Sequence, residues 1–137
     1  MGFSVKGEGR AVRSMENAPK NFKLGLRDAA HIAGRVLVRT AHKGILNGSK
    51  SGRLYKGHQA SASGEYPANL SGQHLKSIDY KFNGSILRFG AGAHHSEYLE
   101  HGTSKMHPRP TLANADVEAG PTVRNILARI PYQRLLK

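Results

Sequence analysis

The chain has 137 residues, no cysteine, and 21 Lys and Arg against nine Asp and Glu, for a formal net charge of +12. That length favours one domain with one modest core, and the absence of cysteine excludes a disulfide framework and a thiolate metal site. No apolar run approaches the ~18 residues of a membrane span, and Met1–Arg10 lacks the apolar stretch of a secretory signal.

The charge is uneven, since residues 1–56 hold twelve of the 21 basic side chains and only three of the nine acidic ones. A basic half suits nucleic acid or an acidic protein surface; a solvated helix face accounts for it equally well. In chain order, Phe3–Lys6 alternates like a short strand, and Ala11–Ala18 reads as a short helix. A longer helix is expected from about Asn17 to about Ile45. Its apolar face runs through Phe22, Leu26, Ala29, Ala30, Ala33, Val36, Leu37 and Ala41. Arg35, Arg39 and Lys43 lie off that face at spacing four, and such like-charge neighbours each cost a helix roughly 0.2–0.5 kcal/mol.

Residues 46–69 are rich in Gly, Ser and Asn, long for a connection in so small a domain. They read as an extended loop or hairpin arm, with Arg53, Tyr55, Lys56 and Tyr66 as its contact residues, ordering against a neighbour. Ser71 is placed to cap a short helix over 72–76. Ile78–Phe82 alternates, Asn83-Gly84 is a strong hairpin signal, and Ser85–Gly90 returns. A short helix is expected over His94–His101. The final helix carries Leu112, Ala115, Val117, Ala119, Val123, Ile126, Leu127 and Ile130, with Pro131 ending it and 131–137 as a tail. The pattern predicts a single α+β domain over 1–137, with a long N-terminal and a C-terminal helix packed on a small antiparallel sheet.

Between the last two helices lies E-Y-L-E-H-G-T-S-K-M-H-P-R-P-T-L, residues 97–112. Gly102 stops the short helix, because glycine enters the left-handed conformation at low cost. Thr103 and Ser104 bond the backbone locally, and Met106 offers a third strand. Pro108 and Pro110 fix the chain on either side of Arg109, and a new helix starts at Pro110 or just after. The segment is a stiff joint rather than a flexible lid.

Catalytic arrangements find little support. His94, Glu97 and His101 share a helix face, but the order is not H-E-x-x-H. Glu97 and Glu100 sit on one turn, whereas acid/base carboxylates flank a substrate from opposite sides. No serine sits in a nucleophile elbow, and no glycine-rich run has the lysine of a phosphate loop. No enzyme activity, cofactor or metal is expected.

The bend, together with S-G-E-Y-P-A-N-L-S-G-Q-H-L-K-S-I upstream, resembles the tailed-bacteriophage neck or tail-completion family, the head–tail joining proteins sometimes described as minor tail components. In the bend Tyr98, Glu100, Gly102, Thr103, Lys105, Met106, Pro108, Arg109, Pro110 and Leu112 fit the pattern. Upstream, Gly64, Glu65, Pro67, Leu70, Ser71, Gly72, Leu75, Ser77 and Ile78 fit. His101 and Thr111 stand where an aromatic residue is usual. The resemblance implies a structural virion protein, assembled in the host cytoplasm and located in the neck or tail. It implies a homo-oligomer, with a hexameric ring the natural expectation, around the channel through which genome DNA passes. Its neighbours would be head-closure or connector proteins and tail-terminator or tail-tube proteins, with no membrane contact. Tyr98, Glu100, Gly102, Thr103, Lys105, Met106 and Arg109 are the expected subunit joint, with Arg109 paired to Glu100 or across the boundary. The alternative is a basic DNA-binding accessory protein that uses Arg35, Arg39 and Lys43.

Overall fold

A computed structural model gives the fold and describes residues 2–4, 20–84 and 86–135. The helix expected over Ala11–Ala18 and the end of the tail lie outside the described residues. The elements are β1 (Gly2–Ser4), α1 (Lys20–Asn47), β2 (Leu54–Tyr55), β3 (His58–Gln59), α2 (Gln73–Ser77), β4 (Ile78–Phe82), β5 (Leu87–Ala91), α3 (Ser96–His101) and α4 (Leu112–Leu135). The domain is α+β, as the pattern predicts. β1, β5 and β4 form an antiparallel sheet in that order, and β2 and β3 form a separate hairpin.

The period-two alternation of β4 and β5 decides which face is covered. Ile78, Leu87, Phe89 and Ala91 are buried, while Asp79, Lys81 and Arg88 face outward. Tyr80 pairs with Phe89 and Phe82 with Leu87, so the large rings share the covered face. Asn83 turns the strands: its Oδ1 accepts from the Ile86 N–H at 2.9 Å, and Gly84 takes φ 91°. Against this face pack Ala33, Leu37, Ala41 and Ile45 of α1 and Leu112, Ala115, Ala119 and Val123 of α4.

α1 and α4 run antiparallel. At one end Phe22 meets Tyr132 edge-on, with ring centroids 5.6 Å apart, and Arg134 pairs with Asp28. At the other end Lys43 and Asn47 share a cleft with Asn114 and Glu118. Glycine makes the close approaches possible. A Cβ on Gly25 would lie 2.9 Å from the Pro131 Cα, and one on Gly34 or Gly44 would enter the ring of Tyr80 or Tyr66. Thus Gly25, Gly34 and Gly44 are buried in the contact line, while Phe22, Leu26 and Val36 are only half-buried.

Several expectations are corrected. α4 runs through Gly120-Pro121 as expected, but it does not end at Pro131 and continues to Leu135. An internal proline removes a hydrogen bond and costs about 3 kcal/mol; here Ala119, Val123 and Pro131 are buried on either side, and that packing offsets the loss. Residues 131–134 are therefore helix docked on α1, not a loose tail. Val117 is 78% exposed rather than core. Met106 forms only a single bridge with Thr103, and β1 is the third strand. Gly72, left-handed at φ 79°, occupies the cap position of α2, and Ser71 Oγ only accepts from the Gln73 N–H at 3.4 Å.

The extended arm is shorter than expected. Lys56 (φ 46°) and Gly57 (φ 81°) make the tight turn between two-residue strands; two positive φ values suit the twist of a hairpin. Arg53, Tyr55 and Lys56 are exposed, but Ser61, Tyr66 and Pro67 are buried. Tyr66 belongs to the core, its ring lying over Gly44. The return is clipped by Glu65, whose carboxylate accepts from the Ser51 hydroxyl and N–H and from the Ala62 N–H. Hydrogen bonds from Ser51 first, then from Ala62, hold Glu65 down at about 2.

Candidate functional site

The bend at 97–112 closes on the body of its own domain. α3 ends where Gly102, at φ 74°, donates its N–H to the Tyr98 carbonyl at 2.8 Å. A side chain there would be strained, and its Cβ would lie 2.7 Å from the Met106 carbonyl oxygen and 2.9 Å from Pro108. Thr103 N–H donates to the Met106 carbonyl at 2.8 Å, and Thr103 Oγ1 accepts from the Lys105 N–H at 3.2 Å. This fixes a tight turn before the prolines.

Two backbone bonds then fasten the extended part. Arg109 N–H donates to the Leu99 carbonyl at 2.7 Å, and Gly64 N–H donates to the Pro108 carbonyl at 3.0 Å. Asn114 completes the fastening, donating its side-chain amide to the Gly64 carbonyl at 2.9 Å.

Glu100 and Arg109 do not pair with each other. The Glu100 carboxylate accepts from the N–H groups of Thr111, Leu112 and Ala113 at 2.9, 3.0 and 2.9 Å. These are among the groups a helix start leaves without partners, and a negative charge there also suits the helix dipole. Pro110 and the preceding chain supply no such acceptor, so α3 caps α4 across the bend. The Arg109 guanidinium donates to the Ser61 carbonyl at 2.9 Å, tying the bend to the returning arm.

A buried polar cluster lies beneath. His74 of α2, Ser96 of α3 and Thr111 at the start of α4 are all buried. The imidazole Nδ1 is 2.8 Å from Ser96 Oγ and Nε2 is 2.8 Å from Thr111 Oγ1. Both ring nitrogens are satisfied, so three short elements are locked in one orientation. Burial pushes the imidazole below its ordinary value, His95 adds to this, and Glu100 opposes it. Thr111 departs from the resembled pattern, and its place opposite His74 explains why a hydroxyl suits it. No spacing rule links positions 74, 96 and 111, so sequence reasoning missed the cluster.

What the bend presents outward is a narrower set than expected. Tyr98 is 48% exposed, Thr103 and Lys105 are exposed, and Met106 is half-buried. The other three joint residues act within the domain: Glu100 and Arg109 as fasteners, Gly102 as the left-handed stop. His94, Glu97 and His101 are exposed, and no group of metal-ligating side chains is assembled among the described residues.

On α1, Arg35, Arg39 and Lys43 are exposed, as the spacing predicts. Among the described residues the ion pair is Arg134 with Asp28, and Lys43 shares its cleft with Glu65 and Glu118. No described helix is long and apolar enough to cross a membrane. No protein-family model, curated protein or solved structure matches the chain.

Proposed function

We propose that the protein is a structural component of a phage neck that joins head to tail as an oligomeric ring around the DNA channel. The observation that carries this reading is the division of labour in the bend. Residues that fit the neck pattern as Glu100, Gly102 and Arg109 make the segment rigid, while Tyr98, Thr103 and Lys105 stand outward on it. A rigid segment with an exposed aromatic and a cation fits a surface that must meet its neighbour at one angle. The chemistry is assembly, and its partners are further copies, connector and tail proteins.

The test is a phage whose gene for this chain carries Tyr98→Asp with Lys105→Glu. Both sites are exposed, so circular dichroism and melting of the purified chain should match the parent. Micrographs should show filled heads and finished tails left apart. Joined particles at the parental infectious yield overturn the reading.

The basic stripe favours a second reading, in which the protein is a DNA-binding accessory. In that case affinity for duplex DNA falls steeply with salt, with a log–log slope of about −0.9 per neutralised phosphate. Replacing Arg35, Arg39 and Lys43 by Gln would then remove most of that slope.

A further inference from the structure

Two exposed apolar patches lie in opposite charge surroundings. Beside the hairpin, Leu46, Tyr55 and Leu70 are 56%, 64% and 75% exposed. They line a groove between the end of α1, the hairpin and residues 68–70, whose charged rim is Lys50 and Lys56, with no carboxylate in its lining. Lys50 is turned onto its own chain, donating to the Gly44 and Gly48 carbonyls at 3.2 and 3.0 Å with Glu65 close by, so Lys56 is the outward cation of the rim. The second patch is on α4, where Val117 is the most exposed large apolar side chain among the described residues. Its neighbours one turn away are Ala113 and Pro121, which makes a shallow apolar strip. Asp116 and Glu118 flank it, two of only nine acidic residues in the chain; Glu118 faces the cleft that holds Tyr66 and Lys43, and Asp116 lies on the other side.

We propose that the Val117 strip of one copy seats in the Leu46–Tyr55–Leu70 groove of the next. Apolar side chains meet at the centre, and Asp116 meets Lys56 at the rim. Opposite charge around an apolar centre sets register and suppresses wrong pairings. The two patches are different surfaces of one chain, so the contact is heterologous: it runs head to tail and closes into a ring where the rotation permits. The inference rests on the ring-forming reading and adds a pair of surfaces between copies, distinct from the outward residues of the bend.

The chain has no cysteine, which makes an introduced pair diagnostic. Full-length Y55C and V117C chains are mixed, oxidised, and resolved by non-reducing electrophoresis. Lys81 faces outward on β4, so K81C mixed with V117C is the control. The cross-linked fraction should exceed the control at least five-fold, and the doubly substituted chain should give a ladder ending at one size. Adding Lys56→Glu to the groove copy should lower the yield about three-fold, and Asp116→Lys on the strip copy should restore it. A yield no greater than control, or one indifferent to these reversals, overturns the contact. The neck reading fails separately: a ladder together with normal virions from the Tyr98/Lys105 variant sinks that reading and leaves the contact standing, whereas absent cross-links with unjoined heads and tails do the reverse.

Discussion

Glu100 is a half-buried carboxylate that accepts three backbone N–H bonds, and nothing else is placed to accept them. Charge-assisted bonds of this kind contribute more than neutral ones. Glu100→Ala should therefore cost about 2–3 kcal/mol, read as a lower urea midpoint with an unchanged m-value. The Arg109→Ala cost should be smaller, because only neutral carbonyl partners are lost, Ser61 and, at 3.5 Å, His107. His74 makes a different prediction. Its folded-state pKa lies below the ordinary 6.5, so the unfolded chain takes up the proton more readily. Its contribution is complete above that value and is lost as pH falls below it. Glu65 stays ionised down to about 2, so its clip weakens only between about 4.5 and that value. Unfolding followed between pH 7 and 5 should show stability falling with His74, and a His74→Gln variant should flatten the slope. An unchanged slope would mean that other histidines govern that range.

At the scale of elements, local sequence rules were most reliable where local structure decides the outcome. The Asn83-Gly84 turn and its flanking strands were legible because alternation and turn chemistry act within ten residues. The α1 stripe and the Gly102 stop were legible for the same reason. The end of α4 was not, because the rule that proline ends a helix is local, while the burial of Pro131 against Gly25 is a contact across more than a hundred residues. Tyr66 was misplaced on the arm for a related reason. It stands in a Gly- and Ser-rich run with no helical or strand period, and only the bare backbone of Gly44 shows where the ring goes. Gly44→Ala should cost roughly 1–3 kcal/mol by overpacking, despite alanine's better helix propensity. Tyr66→Phe should change stability little: the buried hydroxyl makes no hydrogen bond of good geometry, and burial first, then the nearby Glu118 carboxylate, push its ionisation upward. Thermal melts of the two variants separate ring packing from hydroxyl bonding. A large loss in Tyr66→Phe would show that the hydroxyl is bonded.

Across the whole molecule, the charge distribution and the packing pull in opposite directions. The core joins α1, α4 and the sheet, while α1 carries much of the excess positive charge on its outer side. With a net charge of +12, like-charge repulsion outweighs the Arg134–Asp28 pair found among the described residues. Exposed charges are screened over a Debye length of ~10 Å at 0.1 M salt. Raising salt from 0.05 to 0.5 M should therefore raise the melting temperature, by roughly 3–5 °C for about 1 kcal/mol of relieved repulsion. Replacing Arg35 and Arg39 by Gln should raise the low-salt melting temperature and shrink the salt response. Calorimetry at two protein concentrations distinguishes this from assembly, because relief of repulsion does not depend on concentration whereas stabilisation by a second copy does. A melting temperature that falls with salt would mean that attractive pairs dominate, and the exposed stripe would then have to be neutralised by acids within the same domain.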